Sequence, residues 1–218
     1  MKYDTVIFDM DGLLIDSEPL WQEAADEVLG TYGIKLSEEE YVSTTGLRTR
    51  EFLAWWFGYF HIKVENPKEV EECITRKVIE KVQAGAQAMQ GVEYIFQFFA
   101  HRKFKIGIAT SSPFSLIDIV IDKLNIRHRL KAISSAQDLI LGKPHPQVYL
   151  DCAALLESSP TRCICFEDSF NGMIAAKAAR MKCVVVPAPL QHHETRWDAA
   201  DLKLAALSDF NDQAILGF

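Results

Sequence analysis

Thr5-Val6-Ile7-Phe8-Asp9-Met10-Asp11-Gly12 is the stretch on which the fold turns. Its first four residues are β-branched or aromatic with no polar face, the pattern of a strand buried on both sides in a parallel sheet. Asp9 then stands at the carboxyl end of that strand, and Gly12 lets the backbone turn away at once. Two carboxylates two residues apart repel each other unless a cation or a shared proton intervenes. On a buried strand end, such a pair points to a metal-assisted catalytic site; the competing reading is a structural turn.

Working outward, similar apolar runs recur at 105–109, 131–134, 163–166 and 183–186. The first ends at Thr110-Ser111-Ser112, the third at Glu167-Asp168 and the last at Pro187. Between them, 116–124, 148–156 and 172–179 carry apolar or alanine-rich helical patterns. Strand and helix alternating in this way predict parallel pairing through right-handed crossovers, hence an α/β, doubly wound parallel sheet.

Residues from about 18 to 83 break the alternation. Trp21, Ala24, Ala25, Val28, Leu29 and Tyr32 form one apolar stripe at helical spacing. Residues 51–60 hold Phe52, Leu53, Trp55, Trp56, Phe57 and Tyr59, too apolar all round for a simple surface helix. Pro67 opens a third helix through Val70, Cys73, Ile74, Val78 and Val82. The expected organisation is a helical module at 17–83, inserted after the first strand of a core built from 1–16 and 84–218. The aromatic cluster is expected to be the module's own core, with a part of it open to a role in a substrate pocket.

The 218 residues suffice for one core and a sizeable insertion. A formal charge of −7 without a basic face argues against nucleic acid. An anionic substrate would then need local positive charge, from a metal or a well-placed lysine. The five cysteines are odd in number and form no CxxC pair, so free thiols in a reducing compartment are expected. No signal peptide and no membrane span are expected, and the chain reads as a cytoplasmic monomer. His192 and His193, in the 187–193 loop, are too isolated for a metal site.

In an open parallel sheet, ligands bind outside the carboxyl ends of the strands. That rule gathers Asp9, Asp11, Thr110, Ser111, Glu167 and Asp168 on one edge. Four acids in one crevice call for a hard divalent cation, and Mg2+ suits best, because it takes a few carboxylates, keeps waters and accepts a phosphate oxygen. Ser112 is expected to cap the next helix with Pro113 at its first position, a turn whose free N–H groups attract an oxyanion. Lys143, stiffened in Gly142-Lys143-Pro144-His145-Pro146, would neutralise both a carboxylate and a transferring phosphoryl group.

Phe8-Asp9-Met10-Asp11-Gly12-Leu13-Leu14-Ile15-Asp16-Ser17-Glu18 resembles the first motif of the haloacid dehalogenase superfamily. Thr110 matches its second motif, Lys143 its third and Glu167-Asp168 its fourth, in order along the whole chain. The insertion is similar to the family's small helical cap. Lys143-Pro144-His145-Pro146-Gln147-Val148-Tyr149 and Phe166-Glu167-Asp168-Ser169-Phe170-Asn171-Gly172-Met173 resemble its bacterial sugar-phosphatase subgroup.

The resemblance implies Asp9 as nucleophile and Asp11 as acid and base. It implies Mg2+ on Asp9, the Asp11 carbonyl and Asp168, with Glu167 in the shell behind. Thr110, Ser111 and Lys143 would bind the phosphoryl group. Glu18, Gly46, Leu47, Arg48 and Arg50 lie where family caps meet substrate, although the two arginines equally fit surface charges. The expected reaction is hydrolysis of small sugar phosphates: 2-deoxyglucose 6-phosphate, hexose or hexitol phosphates. A β-phosphoglucomutase-like mutase is the alternative. A regulator without catalysis would be expected to have lost the nucleophile or the acid, and both are present. A dinucleotide site is disfavoured, because no GxGxxG turn follows the first strand.

Overall fold

The computed structural model describes residues 2–218. Its strands are β1 (Thr5–Phe8), β2 (Lys105–Thr110), β3 (Ala132–Ser135), β4 (Cys163–Glu167), β5 (Lys182–Val185) and β6 (Leu202–Lys203). They form one sheet in the order β3-β2-β1-β4-β5-β6, and every neighbouring pair is parallel. The strand order reverses between β1 and β4, the switch point at which open α/β sheets leave a crevice for ligands. Phe8 lies level with Ile108 and Phe166, and the Asp9 amide donates to the Phe166 carbonyl (3.0 Å). Asp9 and Glu167 therefore leave adjacent strands at one height.

The helices are α1 (Glu18–Leu29), α2 (Glu38–Ser43), α3 (Thr49–Tyr59), α4 (Pro67–Gly85), α5 (Val92–His101), α6 (Phe114–Lys123), α7 (Gln147–Leu155), α8 (Phe170–Ala178) and α9 (Asp212–Leu216). The first four follow β1 without an intervening strand and form an all-helical module, termed the cap. β1 is buried at all positions, and its alternate residues serve opposite faces of the sheet. Val6 and Phe8 join one apolar layer, where Phe8 packs on Phe96 and Phe166 at centroid distances of 5.0 and 5.1 Å. Ile7 joins the other, with Tyr149, Cys165, Met173 and Trp197. Such aromatic contacts add to the burial term that holds the sheet together.

Within the cap, α1 buries Ala24, Ala25, Val28 and Leu29 while α4 buries Val70, Ile74, Val78 and Val82. A capping box between Ser37 and Glu40 opens α2. On α3 only Phe52, Leu53, Trp56 and Phe57 are buried; Trp55 and Tyr59 are 60% and 62% exposed. The aromatic cluster is thus core on one side and bare on the other.

Some expectations shift. Ser112 does not cap α6: the N-cap is Pro113, and the Ser112 hydroxyl is drawn away by a carboxylate described below. Neither α5 nor the two-residue β6 was expected. The five cysteines are free, and among the described residues no helix is long and apolar enough to cross a membrane. His192 and His193 belong to no metal-capable group among the described residues.

Candidate active site

Asp9, Glu167 and Asp168 each offer a carboxylate oxygen, and the three oxygens lie within 4.8 Å of one another. β1 and β4 bring them together because their ends are level. Lys143 arrives from the segment before α7, 134 residues from Asp9 in sequence, and its ammonium donates to Asp9 Oδ1 and to Glu167 Oε1 (2.6 Å). All of Lys143 but 2% is buried, so this cation is committed to the acids. Gly12 has φ +71°, and a Cβ there would collide with the Asp168 carboxylate. The turn that frees Asp9 thus also makes room for Asp168.

The Asp11 carboxylate points elsewhere. Its Oδ1 accepts from the Ser17 hydroxyl (2.7 Å) and the Trp21 indole N–H (2.9 Å), and its Oδ2 accepts from the Ser112 hydroxyl (2.7 Å). Two of these donors belong to the cap entry and one to the core. Asp11 therefore stands where cap and core meet, with its side chain outside the acidic cluster.

Negative charge exceeds positive charge in the crevice. Burial pushes the Asp9 carboxyl up to about 8, with Glu167 and Asp11 adding to the rise and Lys143 opposing it. Glu18 is likewise pushed up to about 8, by burial first and then by Asp11, Asp9 and Glu167. Burial and the Asp9 and Glu167 charges raise Asp168 as well. For Lys143, burial acts downward, but the two carboxylates outweigh it and hold the ammonium protonated. Hard oxygen donors, close together and short of one or more positive charges, fit a divalent ion such as Mg2+.

Thr110 is buried at the end of β2, and its hydroxyl accepts the Ser112 amide (3.1 Å). The neighbouring Ser111 hydroxyl donates to the Gly46 carbonyl in the cap (2.8 Å). Gly46 has φ +86°, and a Cβ there would strike the Ser169 side chain, so cap and core meet closely at this point. Asn171 adds a bond to the Thr45 carbonyl (2.8 Å).

Between cap and core lies a cavity lined by Asp9, Asp11, Asp168, Thr110 and Ser111 below and by Glu18, Trp21, Gly46, Leu47 and Phe52 above. Thus Glu18, Gly46 and Leu47 are on the cavity. Arg48 and Arg50 are not. Arg48 pairs with Glu51 and donates to the carbonyls of Ala136, Leu139 and Ile140; Arg50 donates to the Leu139 carbonyl. Instead of facing the cavity, their side chains run across to the core, where the carbonyls of Ala136, Leu139 and Ile140 accept from the buried Arg48 guanidinium and that of Leu139 also from the exposed Arg50.

Sequence reasoning missed several partners. Tyr149 on α7 donates its hydroxyl to Glu167 Oε1, and Ser169 donates its hydroxyl to Glu167 Oε2 (3.1 Å). Trp21 looked like part of a core stripe, yet its N–H reaches Asp11. Its amphipathic ring was the available signal, since a half-buried indole seeks an acceptor.

The profile of the haloacid dehalogenase-like hydrolases matches residues 6–186. The chain is 39% identical over 212 residues to hexitol phosphatase B of Escherichia coli strain K12, covering 97% of this chain and 96% of that one. It is 32% identical over 178 residues to a phosphorylated carbohydrates phosphatase of Thermotoga maritima, covering 81% of each. Among solved structures, β-phosphoglucomutase from Clostridium difficile superposes with a TM-score of 0.86 at 22% identity, covering 98% of this chain and 96% of that one. That likeness speaks for the fold. The chain belongs to the haloacid dehalogenase-like hydrolase family.

Proposed function

We propose that this phosphoric monoester hydrolase is a Mg2+-dependent, cytoplasmic, monomeric phosphatase of small sugar phosphates, with hexose, 2-deoxyhexose and hexitol phosphates as the substrate class. The observation that carries it is the convergence of Asp9, Lys143 and Asp168 at the cavity between cap and core. The similarity to a hexitol phosphatase and a phosphorylated carbohydrates phosphatase supports the substrate class.

Asp9 is the nucleophile. With Lys143 on Oδ1, its other oxygen attacks phosphorus; an Asp9–phosphorus bond forms as the bond from phosphorus to the sugar oxygen breaks. Asp11 gives its proton to the departing sugar oxygen. It then takes one from water, whose oxygen displaces Asp9 and releases inorganic phosphate. Lys143 and the Thr110–Ser111 turn face the charge that develops on the phosphoryl oxygens. Asp9, Asp168 and the Asp11 backbone carbonyl would hold Mg2+, with Glu167 behind them. Bound there, the ion would neutralise the repulsion between carboxylate and phosphate dianion.

Hydrolysis is favoured over a mutase by the cavity itself. A mutase must hold a second phosphate on the cap side while the sugar turns over. Among the described lining residues there is no Lys, Arg or His, and Glu18 stands there instead. Trp21, Leu47 and Phe52 suit sugar faces and leave few donors unpaired when a hydroxyl is missing, so deoxy sugars should be accepted. The test is incubation of purified protein and Mg2+ with a panel of hexose, deoxyhexose, pentose and hexitol phosphates, including β-glucose 1-phosphate. Free phosphate supports hydrolysis; conversion of β-glucose 1-phosphate to glucose 6-phosphate supports the mutase; neither product sinks both.

A further inference from the structure

Lys143 reaches the site from a loop with little apolar anchoring at its far end. Ala136 and Leu139 pack inward, but Ile140 and Leu141 are 94% and 53% exposed. Core groups hold the start of 136–142, where the Ala136 amide donates to the Thr110 carbonyl (2.9 Å) and the Gln137 amide to Ser135 Oγ (3.0 Å). The ties that reach 139–142 from outside the loop come from the cap. Arg48, at the N-cap of α3 and buried, donates Nη1 to the carbonyls of Ala136 (2.9 Å) and Leu139 (2.5 Å) and Nη2 to Ile140 (3.2 Å). Glu51 closes the arrangement: its Oε1 accepts Arg48 Nη2 (2.5 Å) and the Gly142 amide (3.0 Å). The next residue is Lys143. A planar guanidinium presents its donors in a fixed fork, so it holds these three carbonyls and the Glu51 carboxylate in one set geometry.

We propose, on the basis of the phosphatase function above, that Arg48 and Glu51 are positioning residues that seat Lys143 through the 136–142 loop only when the cap is closed. An opening cap carries both away, so the loop loses its ties and Lys143 its fixed approach to Asp9. Closure then does two things together: it shuts the cavity and completes the charge that faces the phosphoryl group. The arginine, in family terms a candidate for touching sugar, works instead on the far side of the lysine loop.

Three readouts on Arg48→Ala and Glu51→Ala test this. Amide hydrogen exchange of the Gly142 segment should quicken about tenfold or more, with β1 and β4 unchanged. Orthovanadate, which mimics the five-coordinate phosphoryl group facing Lys143, should inhibit about tenfold more weakly, a constant that the fraction of folded enzyme does not alter. The kcat should fall by a similar factor for a hexitol phosphate and for acetyl phosphate, which has no sugar, with KM moving far less.

Unchanged exchange at 136–142 overturns the proposal. So does a rise in KM for sugar substrates with vanadate inhibition intact, which would make Arg48 a substrate contact. Should Arg48→Ala fail to fold, Glu51→Ala decides alone through the Gly142 amide, the one loop bond that Glu51 itself accepts: unchanged exchange at Gly142 in that variant overturns the proposal. Absence of any phosphatase activity in the wild type would defeat the proposed function, while the exchange experiment would still decide the clamp.

Discussion

Lys143 and Asp9 form a direct, buried ion pair across the crevice, with the ammonium also bonded to Glu167. Removing the ammonium leaves two buried carboxylates uncompensated, which typically costs about 3–5 kcal/mol. Lys143→Ala should therefore lower the melting temperature markedly in chelator, and added Mg2+ should recover part of that loss. Its kcat should fall about 10²–10³-fold whether or not stability is recovered. Calorimetry with and without Mg2+, alongside initial rates, checks both.

Asp11 is held by Ser17, Trp21 and Ser112. A general acid matters most when the leaving group is a poor one such as a sugar alkoxide. Asp11→Asn should be nearly inactive on sugar phosphates. With p-nitrophenyl phosphate it should release a burst of nitrophenol of about one equivalent and then stall, because dephosphorylation of Asp9 lacks its base. Rapid-mixing absorbance reads the burst; a full steady rate would remove Asp11 from the second step.

The mutual repulsion of Asp9, Glu167 and Asp168 implies a metal linkage. Mg2+ that binds the folded state should raise the melting temperature by an amount that grows with its concentration, by about 2.7 kcal/mol at a hundred times the dissociation constant. Asp168→Asn should lose most of this shift, and chelation should abolish turnover in the wild type. A thermal-shift titration with Mg2+ and a chelator control makes the comparison.

Far from the crevice, Asp201 accepts from Lys177 and Lys182 (both 2.6 Å) and from the Cys183 amide (2.9 Å). Burial pushes its carboxyl up, yet these donors outweigh burial and hold it below its usual value. The folded pKa is depressed, so the stabilisation is present above the unfolded value near about 3.9 and is lost as pH falls through the folded value. Asp201→Asn should cost about 1–3 kcal/mol at neutral pH. The difference from wild type should shrink below about pH 4. Melting curves across pH 3–7 of the two proteins give the answer.

The core site was legible because each of its acids ends an apolar run, and a parallel sheet brings such ends together whatever their spacing. Thr5-Val6-Ile7-Phe8 and Cys163-Ile164-Cys165-Phe166 carried the position of Asp9 and of Glu167-Asp168 almost unaided. Ser112 misled, since a serine before Pro113 is good capping chemistry, and only the tertiary approach of Asp11 drew its hydroxyl away. β6 is two residues long, too short for any periodicity, and is held by its neighbour β5. Long side chains were the least readable. Helical spacing places Arg48 and Arg50 at the start of α3, but whether a guanidinium bends to the cavity or to the 136–142 carbonyls depends on a surface 88 residues or more away. Tyr149 was silent for the same reason, as its partner Glu167 lies on another element.

That Asp9 itself receives the phosphoryl group can be tested by acid-quenching the enzyme within milliseconds of mixing with a labelled hexitol phosphate and Mg2+, then mapping the labelled peptide. Label should sit on Asp9 in the wild type and be absent from Asp9→Asn, which should retain its fold and no turnover. Phosphate release by Asp9→Asn at a rate near that of the wild type, with no labelled aspartate at any time point, would contradict the account.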